Sequence, residues 1–267
     1  MRIACIGDNC IDEYRRLGRR YPTGNVVDTA VNLIKLGTPA SVISTTGDDD
    51  YGIWMRKTLA QEGVDISHLK TGRGPTAVTR MDMNGTDRVH GEYQEGVLSH
   101  IVFDEEDIAF ASEHDLVHSA LWGKADSILP RLKENSVPVS FDYADRLDHP
   151  LVTSTLPFVD FGFFSYHEGR DRRIEDFLKD KVARGMKIAT ATLGAKGSLA
   201  WDGQTFWDGP VFPATVVNTV GAGDSFIAGF LHGLIRGSDL PECLRIGARI
   251  AADVIQVFEP WIIEQKG

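Results

Sequence analysis

Apolar and polar positions change period several times along the chain, and each change marks an element. Residues 2–6 form a short apolar run that suits a buried strand and stops at Gly7-Asp8-Asn9. Residues 11–17 read as a second extended stretch, leading through Pro22-Thr23-Gly24 into a helix. Ala30, Leu33, Ile34 and Leu36 lie on that helix at helical spacing, and Gly37 stops it. Residues 41–45 predict a strand. Gly47-Asp48-Asp49-Asp50 then supplies capping chemistry for a helix over about 51–61, closed by Gly63. Residues 76–83 and 88–93 predict a hairpin turning at Asn84-Gly85, a pair suited to positive φ.

From Asp104 onward the helical and extended periods alternate. Helices are expected near 104–113, 124–135 and 170–184, with strands at 115–118, 137–142, 158–165 and 187–192. Strands separated by helices pair in parallel through crossovers, so the pattern predicts an α/β sandwich. A second hairpin follows, 198–201 and 205–207 about Asp202-Gly203, and two helices over about 222–236 and 239–257 finish the chain. With no repeat, low-complexity tract or Pro/Gly/Ser-rich linker, the expectation is one domain over 1–267, with a β lid from about 11–20 and 74–96.

Composition narrows the function. A chain of 267 residues, 42% hydrophobic, can bury a core without disulfides or a structural metal. Its net charge of -10, from 38 acidic and 28 basic residues, argues against nucleic acid as a partner. Arg15-Arg16 with Arg19-Arg20, and Arg170 with Arg172-Arg173, read as solvated surface. Acidity does not exclude ATP, because backbone N–H groups and a metal can hold phosphates. Cys5, Cys10 and Cys243 form no C-x-x-C pair and no disulfide framework, and Cys5 and Cys10, in or beside an apolar strand, read as packing residues. No run reaches membrane-span length and the N-terminus is too short for a signal segment, so a cytoplasmic location with no membrane partner is expected.

The richest chemistry lies in Asn218-Thr219-Val220-Gly221-Ala222-Gly223-Asp224, expected to follow a strand and to open a helix carrying Phe226, Ile227, Phe230 and Leu231. Glycines bare the backbone N–H groups, and the helix N-terminus adds a positive dipole end, so the turn suits a phosphate. Asp224 in the first helical turn is expected to be favoured as a carboxylate, the form a general base requires. The plain alternative is a capped helix after a loop.

Residues 216–229 resemble the signature D-T-x-G-A-G-D of the ribokinase-like (PfkB) carbohydrate kinases, and the resemblance extends over nearly the whole chain. Gly24-Asn25 with Ala30 and Leu36-Gly37, Gly47-Asp48-Asp49-Asp50-Tyr51-Gly52, and Gly63-Val64-Asp65 fall in the family's order. Thr192-Leu193-Gly194-Ala195-Lys196-Gly197 resembles its T-L-G-x-x-G nucleotide loop. Within the family the chain is similar to the fructoselysine 6-kinases. The stretches are Gly7-Asp8-Asn9-Cys10-Ile11-Asp12, Gly63-Val64-Asp65-Ile66-Ser67-His68, Asp87-Arg88-Val89, Tyr93, Glu95-Gly96-Val97 and Leu121-Trp122-Gly123. Residues 197–203 and 221–231 add to them.

The resemblance implies a three-layer α/β/α sandwich with a central mainly parallel sheet and a small β-sheet lid. It implies ATP-dependent phosphorylation of a sugar hydroxyl, with Asp224 as general base and the Gly221, Ala222 and Gly223 amides as anion hole. Thr192, Gly194 and Gly197 would line the nucleotide site, with Ala248 near the adenine. Glu168 matches the acid of an N-x-x-E motif that organises Mg²⁺ through water; its alternative is a helix-start acid. Asp8, Asp12, Gly24, Asn25 and Asp28 would hold the sugar, Asp8 having a turn role as its alternative. A homodimer through the lid is implied as well.

Five departures matter. Asn218 replaces the first Asp of the signature, and Glu259-Pro260 stands where Gly-Ala is common, which together put a K⁺ dependence in doubt. Ser165 stands at the Asn of N-x-x-E, and Thr23 at a Gly. Asp28 replaces an Asn, turning an amide donor into a pure acceptor. With Asp8, Asp12, Asp82, Glu92 and Glu95, it could give the acidic field that a sugar-amine needs. Competing readings are a kinase of another sugar, sugar acid or nucleoside, and a non-catalytic nucleotide- or sugar-binding regulator. A dinucleotide oxidoreductase is disfavoured, since Gly7-Asp8-Asn9 is not G-x-G-x-x-G.

Overall fold

Strands buried on both faces need cover on both, and that requirement builds this molecule. A computed structural model describes residues 1–85 and 87–262; Thr86 of the expected lid hairpin and 263–267 of the expected domain lie outside the described residues. The chain opens with β1 (Ile3–Ile6), β2 (Cys10–Tyr14), β3 (Arg19–Thr23), α1 (Asn25–Lys35) and β4 (Ala40–Gly47). It continues through α2 (Asp50–Glu62), β5 (Leu69–Gly72), β6 (Val78–Asn84), β7 (Asp87–Gln94), α3 (Glu105–Ser112) and β8 (Leu116–Ala120). Then come α4 (Leu129–Glu134), β9 (Val139–Asp142), α5 (Pro150–Ser154), β10 (Phe161–Ser165) and α6 (Arg172–Ala183). The last elements are β11 (Ile188–Thr192), β12 (Ser198–Trp201), β13 (Phe206–Gly209), α7 (Ala222–Ile235) and α8 (Leu240–Val254).

The large sheet runs β13-β12-β11-β10-β9-β8-β1-β4-β5, parallel except that β12 pairs antiparallel with both β11 and β13. Alternation along β1 sorts the layers. Ala4 and Ile6 pack with Ile108, Leu132, Val152 and Leu178 of α3 to α6. Ile3 and Cys5 face Val27, Leu59, Phe230 and Leu244 of α1, α2, α7 and α8. The result is the expected three-layer α/β/α sandwich. A separate sheet, β3-β2-β6-β7, pairs antiparallel within each hairpin and parallel between β2 and β6.

Local chemistry explains most boundaries. Asp49 caps α2 by accepting from the Gly52 N–H at 2.9 Å, and Gly63 ends it with φ 89°. The expected single stretch 11–17 is instead a hairpin. β2 stops at Tyr14, a short 3-10 turn follows, Gly18 turns the chain at φ 60°, and β3 returns. The strand expected before the glycine-rich turn is absent as well. The Val217 and Asn218 N–H groups both donate to the Ile255 carbonyl at the end of α8, leaving Val216 and Val217 exposed. β5 and α5 were not expected: the first is only four residues without apolar alternation, the second a single turn opened by Pro150.

One buried charge anchors the far end of the sheet. The Asp160 carboxylate accepts from the Val139 N–H at 3.0 Å and sits 3.3 Å from Lys133 Nζ and 3.1 Å from Lys187 Nζ. Burial opposes its ionisation, but the Val139 N–H and the two ammonium groups outweigh it and hold the pKa below the usual value. A depressed folded pKa contributes stability above the unfolded pKa of about 4 and loses it as pH falls through the folded value. Asp160→Asn is therefore expected to cost about 1–3 kcal/mol in urea unfolding at neutral pH. The difference from wild type should shrink below about pH 4.

Candidate active site

Loops gather at the C-terminal ends of the parallel strands, where open α/β sheets place their ligands. After β1 the chain must turn in very little space. A Cβ on Gly7 would meet Gly123 Cα at 2.7 Å, and one on Gly24 would meet Asn9 Cα at 2.8 Å, with φ at 149° and 137° respectively. This stacking sets Asp8 against the start of α1, where its Oδ2 accepts from the Asn25 N–H at 3.0 Å. The Asn25 side chain in turn donates to Asp224 Oδ1 at 3.1 Å. Asp28, one turn further on, accepts from Thr23 Oγ1 at 2.7 Å. Asp12 comes from the small sheet, facing the Cys10 thiol at 3.7 Å.

Sequence-predicted Asp8, Asp12, Gly24, Asn25, Asp28 and Asp224 thus meet in one largely buried cluster. A further acid joins them that sequence reasoning missed: Asp142, at the end of β9, buried and turned by accepting from the Ala144 N–H at 2.9 Å. Its only signal was an acid at the C-terminal end of a predicted core strand.

Five buried carboxylates in one cluster change each other's ionisation. Desolvation is the largest cause throughout and raises Asp8, Asp12, Asp28, Asp142 and Asp224. Asp12 and Asp142 each reach about 6. Asp224 is pushed up to about 8, burial being joined by the charges of Asp142 and Asp8 and opposed by Arg88. Asp28 is held well above the usual range by burial and then by Asp224, so these two titrate as a pair. The expectation that the helix N-terminus favours the Asp224 carboxylate is therefore corrected: burial, joined by the charges of Asp142 and Asp8, outweighs the dipole. Asp8 Oδ1 and Asp28 Oδ1 are buried acceptors without a partner among the described residues.

Arg88 opposes this field. The register Met83↔Arg88 and Met81↔His90 puts Arg88 on the face of the small sheet that carries Met81 and Met83, the face of Thr79 and its neighbour Asp12. Among the described residues it makes no ion pair, and its charge lowers both Asp12 and Asp224.

The glycine-rich turn lies beside these acids. Gly221 takes the left-handed conformation, φ 69°, as the residue before α7, and a Cβ there would meet the Pro260 carbonyl oxygen at 2.6 Å. Gly223 is exposed with no atom within 4 Å of where a Cβ would stand, and the Ala222 N–H makes a long 3.4 Å bond to the Thr219 carbonyl.

Thr192 ends β11 with its hydroxyl 3.3 Å from that of Ser165. Gly194 has φ 59°, and Gly197, φ 92°, passes so close to the Gly209 carbonyl that a Cβ would sit 2.6 Å away. Lys196 ties this loop to the next, donating to the Glu168 carbonyl oxygen at 2.8 Å. The Glu168 carboxylate is exposed and unpaired among the described residues, and Ala248 is half-buried on α8. No group of three or more His, Cys, Asp or Glu stands ready for a metal among the described residues. No helix there is long and apolar enough to cross a membrane.

Comparison with known proteins places the chain in a family. Residues 16–262 fit the model of the pfkB family carbohydrate kinases. The chain is 42% identical over 259 residues to fructoselysine 6-kinase of Escherichia coli, covering 97% of this chain and 99% of that protein. It is 30% identical over 263 residues to the fructosamine kinase FrlD of Bacillus subtilis, covering 97% and 92%. In fold it is similar to adenosine kinase from Sinorhizobium meliloti, with TM-score 0.85, 19% identity and coverage of 98% and 96%. The chain belongs to the pfkB family of carbohydrate kinases and is an enzyme that phosphorylates a sugar hydroxyl.

Proposed function

We propose that this kinase transfers the γ-phosphoryl group of ATP to the 6-hydroxyl of fructoselysine. The observation that carries the reading is the cluster of buried acids around Asp224, with unpartnered oxygens on Asp8 and Asp28. Fructoselysine bears an amine beside the sugar and an α-ammonium on its lysine, so its charge complements this cluster, whereas a sugar acid would be repelled. The relatives' names, a fructoselysine kinase and a fructosamine kinase, point the same way.

Each residue then has a chemical task. Asp224 accepts the proton of the attacking hydroxyl while Asn25 holds the carboxylate by its amide. The hydroxyl oxygen forms a bond to the γ-phosphorus as the bond to the β-phosphate oxygen breaks, and ADP leaves. The Gly221, Ala222 and Gly223 amides face the charge on the transferring group. Asp8, Asp12 and Asp28 take sugar hydroxyls and ammonium groups, with Gly24 admitting the ring close to the backbone. Thr192, Gly194, Gly197 and Ala248 form the nucleotide side. The exposed, unpaired Glu168 carboxylate fits a Mg²⁺ held through water; bound with ATP, the ion would offset phosphate charge. A cytoplasmic location suits three free thiols, and a homodimer through the small sheet stands as a proposal testable by light scattering.

Asp28→Asn tests the charge argument. KM for fructoselysine is expected to rise about tenfold or more, with KM for a neutral sugar changing much less; equal changes would sink it. Since burial raises the Asp28 pKa, the folded protein is penalised above the unfolded value. The variant should therefore melt at a higher temperature at neutral pH.

A further inference from the structure

The glycine-rich turn is held from an unexpected side. Asn218 is fully buried; its Nδ2 donates to the Phe258 carbonyl at 2.8 Å and its Oδ1 accepts from the Val220 N–H at 3.1 Å. Pro260 lies directly against Gly221. The loop 258–260 therefore forms the wall on which the turn is built.

The same loop carries the small sheet. Phe258 meets Tyr14 edge-on at 5.0 Å and Tyr21 at 6.0 Å between ring centroids, and the two tyrosine hydroxyls are 3.0 Å apart. The Tyr14 hydroxyl also faces the Asn218 side chain. Arg19 on β3 lays its guanidinium 3.9 Å over the Phe258 ring and pairs with Glu259 at 2.5 Å. An unbroken set of contacts runs from the small sheet through residues 258–260 to Val220 and Gly221.

The chemistry at Asn218 has a second consequence. A carboxylate there would oppose the Phe258 carbonyl with another acceptor, an arrangement that a cation between them would relieve. The amide bonds that carbonyl directly, while Glu259, the nearby acid, is already taken by Arg19.

We propose that Arg19 and Asn218 are positioning residues that fix loop 258–260, so that seating the lid and setting the phosphate-facing amides are one event, and no monovalent cation is needed at this corner. The inference rests on the phosphoryl-transfer reading above, but its first test does not require the substrate. In the free protein, Arg19→Ala should speed hydrogen exchange across 218–224 about tenfold, although Arg19 is distant in sequence. Arg19→Met, which keeps the apolar stem, should show the same direction if the full variant folds poorly. Exchange unchanged in both variants would overturn the coupling.

The second test is kinetic, with ATP and fructoselysine as the probes. Wild-type kcat should agree within about twofold in tetramethylammonium, sodium and potassium chloride at equal ionic strength. Asn218→Asp should lose about tenfold in tetramethylammonium and regain part of it with potassium. Wild type activated about fivefold by potassium would overturn the cation claim. A wild type that turns over no sugar would instead remove the functional reading, leaving the exchange result to decide the coupling.

Discussion

Asp224→Asn is expected to lower kcat by about 10³-fold, with KM for the sugar changing little. The variant keeps the shape of the side chain and its contact with Asn25, but it cannot take a proton. The wild-type pH profile should carry the same signature. Asp224 is pushed up to about 8 in the free protein, chiefly by burial and then by Asp142 and Asp8. Only the deprotonated form is a base, so kcat/KM should rise about tenfold per pH unit below that value and level off above it. The Asn variant should lose this limb. A profile that is flat from pH 6 to 9 in wild type (roughly the window set by burial of such an acid) would remove Asp224 as the base.

Gly221→Ala should be the second large loss. The position has φ 69°, where an L side chain costs about 1–2 kcal/mol. Its Cβ would lie 2.6 Å from the Pro260 carbonyl oxygen and 2.9 Å from Pro260 Cα, both backbone atoms that cannot swing aside. Either the turn or loop 258–260 must move, and the amides move with it. We expect kcat to fall about 10²-fold or more, with a lower melting temperature. Gly223→Ala is the informative companion. Nothing lies within 4 Å of its Cβ position, so it should fold as well as wild type by melting temperature.

Much of the fold was legible because its signals are local. Asp49 and Gly63 bound α2 by capping and by positive φ, both written in neighbouring residues. The hairpin about Asn84-Gly85 and the strand–helix alternation after Asp104 were local in the same way. β3 was hidden because Arg19-Arg20 reads as surface; its pairing with β2 depends on Gly18 and on the tyrosine contact across the hairpin. The missing strand before the glycine-rich turn is a long-range effect, since Val217 and Asn218 spend their N–H groups on Ile255.

The candidate site divides in the same manner. Asp224 and its glycines lie in one short motif, and the fold brings to it the acids singled out near the N-terminus. Asp142 escaped because its importance comes from sheet order, and Arg88, quoted within Asp87-Arg88-Val89, was given no role because its place beside the acids comes from register. The raised pKa of Asp224 was also beyond a local reading. The helix N-terminus is visible in sequence, but four other buried carboxylates converge on it only in the folded chain. Asn218 was recognised as altered, and its role as a bridge between Phe258 and Val220 emerged only from the geometry.

Product analysis by ³¹P and ¹³C NMR, after incubating the protein with fructoselysine, ATP and Mg²⁺, tests the proposed reaction itself. A phosphate ester on C6 of the sugar is expected, formed in equal amount with ADP and about 10³-fold more slowly with Asp224→Asn. No phosphorylated fructoselysine under conditions where another sugar is phosphorylated, or a phosphate on a different hydroxyl, would contradict it.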